Sequence, residues 1–89
     1  MRFTWDPAKA EQNLRDHGVS FQEATTVFGD SLAATVPDPD HSLGEERIIT
    51  MGRSRAGQLL VVCHLEQGDT IRIISARRAT SHERKDYET

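Results

Sequence analysis

The residues Gln58-Leu-Leu-Val-Val-Cys-His-Leu-Glu66 form the most apolar run in the chain, and only Gln67-Gly68-Asp69 separates them from Thr70-Ile-Arg-Ile-Ile-Ser-Ala76. Two such runs split by a glycine-bearing turn predict an antiparallel β-hairpin whose apolar side chains the remaining elements must cover. The turn decides the register. A two-residue loop at Gln67-Gly68 sets Arg72 opposite Cys63, on the face of Leu59, Val61 and Leu65. A three-residue loop, with Gly68 in the left-handed bulge position, groups Leu59, Val61, Cys63, Leu65, Ile71 and Ile73 on one face. Leu60, Val62, His64, Arg72 and Ile74 then share the other. The second choice buries six apolar side chains, at about 1.5–3 kcal/mol for each large one, and spares the several kcal/mol that a buried unpaired arginine costs. It is therefore the expected register, and it makes His64 and Arg72 neighbours.

Upstream, Arg2-Phe3-Thr4-Trp5 reads as a short edge strand. Asp6-Pro7 has the chemistry of an N-cap followed by proline at the first helical position, and Gly18 that of a left-handed stop after His17. Ala10 and Leu14 give this helix a thin apolar side, while Lys9, Asn13 and His17 recur every four residues as a polar stripe. Ser20-Phe-Gln-Glu23 is a capping box opening a second helix that ends at Gly29, so the two helices form an αα-hairpin. Strands are expected at Leu32–Val36 and Glu46–Arg53, with a proline-rich loop between them, and Thr80-Ser-His-Glu83 is a further capping box that starts a C-terminal helix. The order β-α-α-β-β-β-β-α implies an α+β domain. Its αα-hairpin and C-terminal helix pack on a four- to five-stranded, mainly antiparallel sheet.

Eighty-nine residues make one small domain. Its single cysteine excludes an internal disulfide and suits a reducing cytoplasm. An acidic residue at Asp6 precedes any apolar run, so no secretory leader is expected, and no segment approaches membrane-spanning length. The net charge of −3 argues against a broad phosphate-tracking surface, yet the charge is segregated. Ile71–Lys85 carries five Arg or Lys and one acid, whereas Thr35–Glu46 carries four acids and no cation. A local anionic ligand at the basic end is the expectation.

Two blocks resemble a known family. Phe3-x-Trp5-Asp6-x-x-Lys9-x-x-x-Asn13-x-x-x-His17-Gly18-Val19-x-Phe21-x-Glu23-Ala24 is similar to the N-terminal signature of BrnT-type toxins. Arg72-Ile-Ile-Ser-Ala-Arg77-x-Ala-x-x-x-Glu83-x-x-x-Tyr87 resembles the same family's C-terminal block. The resemblance spans essentially the whole chain. It implies a ribonuclease toxin of a bacterial type II toxin–antitoxin pair, with a RelE-like fold and a BrnA-like antitoxin as partner. Operator DNA would then be met only through the antitoxin.

Cleaving RNA through its 2′-hydroxyl needs a base, an acid for the 5′-oxygen and cations for the charge developing on phosphorus, and no metal. Arg77 and Arg78, at the strand-to-helix corner, suit a phosphate, although pairing with acids would also explain them. His64 offers an imidazole titrating near neutrality, and Arg72 is expected beside it. Glu83 is fully explained as a capping glutamate; it could equally orient Arg77 or take a proton. Tyr87, one turn later, could stack on a base or cover the sheet. Arg47 and the Lys9–Asn13–His17 stripe are expected to support the site or contact the RNA backbone. Asp38, Asp40 and His41 lie too close together, on a proline-stiffened loop, to form a familiar metal site, and Cys63 reads as core. The expected function is metal-independent RNA cleavage. The alternative from a different class is a RelE-like protein-binding or co-repressor module with no catalysis.

Overall fold

The computed structural model describes residues 1–38 and 47–88. Strand β1 (Arg2–Thr4) leads into α1 (Pro7–His17) and α2 (Phe21–Thr25), which tightens into a 3-10 turn over Thr26–Gly29. Strands β2 (Ala34–Pro37), β3 (Ile48–Arg53), β4 (Leu59–Gln67) and β5 (Thr70–Arg78) follow, and α3 (Ser81–Glu88) closes the chain. The five strands form one sheet in the order β1-β5-β4-β3-β2, antiparallel except where β1 runs parallel to β5. The helix ends obey the expected chemistry. Asp6 accepts the Ala8 N–H at 2.9 Å, Gly18 is left-handed at φ 68°, and the Ser20 hydroxyl accepts the Glu23 N–H at 3.0 Å. Only half of the Ser20 capping box closes, because the Glu23 carboxylate accepts the Ser54 hydroxyl at 2.7 Å instead.

The hairpin register differs from expectation. The loop has two residues, Gly68-Asp69, so that Gln67 pairs with Thr70, Leu65 with Arg72 and His64 with Ile73. Gly68 does take the left-handed conformation, at φ 61°. A bulge then slips the ladder: Cys63 pairs with Ser75 and Ile74 has no opposite number. The physical gain is local. An uninterrupted ladder would set Ser75 against Val62 on the covered face, whereas the bulge leaves Ser75 exposed and buries Ala76. Val19, Phe21, Ala24 and Val27 from the helical layer thus meet Leu60, Val62, Ile71, Ile73 and Ala76 from the sheet. His64 belongs to this face and is fully buried, while Arg72 belongs with Leu65 on the other, so the two are not neighbours.

Candidate active site

Arg77 and Glu83 are the site residues that the fold brings together. Arg77 lies on β5 opposite Val61, with its side chain on the face turned away from α1 and α2. Three residues beyond it, Thr80 caps α3: its hydroxyl accepts the Glu83 N–H at 3.1 Å, and its own N–H donates to Glu83 Oε1 at 2.9 Å. The capping box fixes the glutamate, and the glutamate receives the arginine. Arg77 Nη1 donates to Oε1 at 2.8 Å and Nη2 to Oε2 at 3.0 Å, a bidentate pair. Nη1 also lies 3.3 Å from the Arg78 carbonyl. Of the five guanidinium N–H groups, those on Nε and the second on Nη2 have no partner among the described residues. The arginine therefore offers one free edge. Its hydrogen bonds to Glu83 raise the Arg77 pKa, and the same bonds, with help from the Thr80 N–H, lower that of Glu83 to about 2.

Tyr87, one turn along α3, points to a different partner. Its hydroxyl donates to Asp30 Oδ2 at 2.6 Å, the Arg53 guanidinium sits 5.7 Å from its ring centre, and Arg53 Nη2 donates to Glu88 at 3.0 Å. Asp30 also accepts the backbone N–H groups of Arg53 at 2.8 Å and Leu32 at 2.9 Å. These bonds, the Arg53 N–H first, lower the Asp30 pKa, and the bond to Asp30 raises that of Tyr87. Sequence reasoning missed Asp30 and Arg53, whose partners are 57 and 35 residues away. No local spacing signals either contact. Across β3, β4 and β5, Arg53 and Arg77 share one face roughly 12 Å apart, two strand spacings and two residues of rise.

The other expected cations disperse. Arg72 precedes Arg77 by five residues on β5, about 15 Å along the strand, too far to hold the same phosphate. Arg78 alternates to the opposite face from Arg77, where its Nε donates to Gln58 at 2.7 Å and its guanidinium lies over Gly18. The pair at the corner thus cannot grip one phosphate together as expected. Arg47 precedes β3, and its carbonyl accepts the Asp38 N–H at 2.9 Å. Lys9 and His17 are exposed and flank Ile74 together with Gln12 and Asp16. Asn13 does not share their exposure: it is buried beneath the stripe it was expected to extend.

His64 sits in the core. Its Nε2 lies 2.8 Å from the Thr50 hydroxyl, which in turn lies 2.8 Å from that of Thr35, and Phe28 packs edge-on to its ring at 4.9 Å. Its Nδ1 is buried without a partner among the described residues. Desolvation lowers the His64 pKa, opposed by the charge of Glu66. An imidazole held neutral inside the core, on the face opposite Arg77, does not reach a substrate there. Cys63 is half-buried on the second face, its Sγ 3.7 Å from Asp38 Oδ2. Among the described residues no group of three or more His, Cys, Asp or Glu is placed to hold a metal ion, and no helix is long and apolar enough to cross a membrane. Asp40 and His41 lie outside those residues.

The crystal structure of the Brucella abortus ribonuclease toxin BrnT superposes with a TM-score of 0.70, covering 91% of this chain and 99% of that one at 21% identity. That likeness establishes the fold. No curated protein sequence matches the chain. A family model described as the ribonuclease toxin BrnT of type II toxin–antitoxin systems matches residues 5–83, which include the first motif block from Trp5 onward, the second as far as Glu83, and every element except β1 and the end of α3. The chain belongs to the BrnT family of ribonuclease toxins of type II toxin–antitoxin systems.

Proposed function

We propose that the chain cleaves RNA without a metal ion, in the cytoplasm, and that a BrnA-like antitoxin neutralises it. The observation that carries this reading is the Arg77–Glu83 pair with its free guanidinium edge. Arginine held flat by a bidentate carboxylate presents Nε–H and Nη2–H side by side, the spacing of two phosphate oxygens. The guanidinium charge is permanent, and it stabilises the negative charge that accumulates on the phosphoryl oxygens as the 2′-oxygen, its proton released to solvent water, attacks phosphorus and the 5′-oxygen leaves with a proton from solvent. Glu83, with a pKa of about 2, stays ionised and orients Arg77 rather than moving a proton. Tyr87 keeps its proton, which it donates to Asp30, and serves to anchor α3. Arg72 meets a more distant phosphate of the same RNA, and Arg47, Arg78, Lys9 and His17 stand as outlying contacts to its backbone. His64 drops out of the proposed machinery.

The purified protein, freed of antitoxin, is expected to degrade RNA in EDTA. Arg77→Ala abolishes the cleavage with an unchanged circular dichroism spectrum, and Arg77→Lys does not restore it, because an ammonium cannot make the two-pronged contact. Intact RNA after incubation with folded wild-type protein would replace this reading with the non-catalytic co-repressor. Full activity of Arg77→Ala would dismiss the site alone.

A further inference from the structure

Asn13 is one of four buried polar residues among those described, at 6% exposure, and two of its bonds end on Ala76, the residue before Arg77. Its Nδ2 donates to the Ala76 carbonyl at 2.8 Å and to the Val19 carbonyl at 2.9 Å, while its Oδ1 accepts the Ala76 N–H at 3.1 Å. The side-chain amide thus treats Ala76 as a neighbouring strand would. It stands where a strand is missing: β1 pairs with β5 only as far as Thr4 with Arg72, and past that point the outer edge of β5 has no strand beside it among the described residues. In an antiparallel ladder the N–H and C=O of one residue point the same way, and those of the next residue point the opposite way. Ala76 therefore turns its polar groups outward to Asn13, and Arg77 turns its own inward to β4. The peptide plane joining Ala76 to Arg77 is gripped from both sides, its carbonyl by Asn13 and its N–H on the β4 side.

We infer that Asn13 is a positioning residue for the Arg77 guanidinium, acting through the Ala76–Arg77 peptide. The inference rests on the proposed role of Arg77. Asn13 sits on α1, one turn from Lys9 and one from His17, so the same amide also sets the register of that exposed stripe against β5. Without it, the Ala76 groups lose their polar partner at this edge, and the bulged segment from Ile74 to Arg78 loses its outer constraint. Arg77 then meets Glu83 with poorer geometry, since Glu83 is held separately by its capping box.

Two readouts test this. Asn13→Ala is expected to lower kcat by about 10- to 100-fold, the effect of displacing a catalytic group by about 1 Å, while KM changes little. Independently of any RNA, the Glu83 carboxyl, followed by NMR, is expected to titrate above its wild-type midpoint of about 2, toward its ordinary value of 4.5. Asn13→Asp supplies a rescue. When protonated, its O–H donates to the Ala76 carbonyl and its C=O accepts the Ala76 N–H; when ionised, it can only accept. The kcat of this variant relative to wild type is expected to recover as the pH falls and the introduced carboxylate takes up its proton. A folded Asn13→Ala protein with wild-type kcat and an unmoved Glu83 titration would overturn the inference, whatever its melting temperature. Should that variant not fold, a relative kcat for Asn13→Asp that does not vary with pH overturns it instead. If wild-type protein leaves RNA intact, the proposed function fails while the Glu83 titration still decides the role of Asn13.

Discussion

Lowering the pH should weaken this fold through one side chain. His64 is fully buried, bonded to the Thr50 hydroxyl on one nitrogen and without a partner among the described residues on the other. In the unfolded chain it titrates at its ordinary 6.5, whereas burial lowers its folded value. A depressed histidine stabilises the fold above the unfolded pKa, and that contribution drains away as the pH falls below it, because the unfolded state then binds the extra proton. One proton corresponds to about 1.4 kcal/mol per pH unit. Between pH 7.5 and 5.5 the loss reaches about 1.4 kcal/mol as long as His64 stays neutral in the fold. For a domain of this size that is a fall of roughly 5–10 °C in melting temperature. The comparison protein is His64→Gln, which can still bond Thr50 and does not titrate; every other histidine and acid is common to both proteins. The assay is the melting temperature of each at several pH values, and the quantity of interest is the difference between the two slopes. Parallel slopes would mean that His64 takes up its proton without cost, and the core around Phe28 and Thr50 would then not be sealed. If His64→Gln melts cooperatively, it is also expected to keep its RNA cleavage, which separates the core role from a catalytic one.

Two further outcomes follow from local geometry. Gly52→Ala places a Cβ 2.9 Å from that of Ala33 and 3.0 Å from Val27 Cγ1, with Asp30 Oδ2 at 3.2 Å; a loss of about 1–3 kcal/mol in urea unfolding is expected. The Glu83 carboxyl, whose pKa is lowered from 4.5 to about 2, stabilises the fold above pH 4.5 and loses that contribution as the pH falls toward 2. With Arg77 and Glu83 side chains 42% and 30% exposed, solvent screening holds the effect to about 1 kcal/mol or less. Acid unfolding of wild type against Glu83→Gln measures it, and the two curves should converge near pH 2.

What could be read from the chain is what short-range chemistry determines. The caps at Asp6, Ser20 and Thr80 and the stop at Gly18 act within four residues, and each lies where the residue types demand. The succession of helices and strands along the chain followed from alternation and turn spacing, whereas the parallel pairing of β1 with β5 has no local signal. The face of each β5 side chain did not, because one unpaired residue, Ile74, reverses every assignment beyond it, and a bulge leaves no mark in an isoleucine pair. The shorter hairpin loop separated His64 from Arg72 in the same way, by a slip of a single residue. Asn13 was misplaced for a related reason: helical spacing correctly grouped it near Lys9 and His17, but a polar residue is read as solvated unless its distant partner is known, here Ala76. The Arg77–Glu83 contact was within reach of the sequence because a glutamate can cap a helix and pair with an arginine at once. The capping carboxylate has a second oxygen, and the arginine uses it.

The sheet ends in two dissimilar borders. On one side β1 covers only the first residues of β5, and beyond it a single carboxamide occupies the bonding positions that another chain's strand would seek. On the other, β2 is four residues long and finishes at Pro37, which has no N–H to donate. Short length, proline and plugged hydrogen-bonding groups are the means by which proteins discourage strand-to-strand aggregation. A chain this rich in valine and isoleucine along β4 and β5 keeps β4 between two strands and leaves only the latter part of β5 without one among the described residues, and substitutions that unplug that border expose a sticky edge.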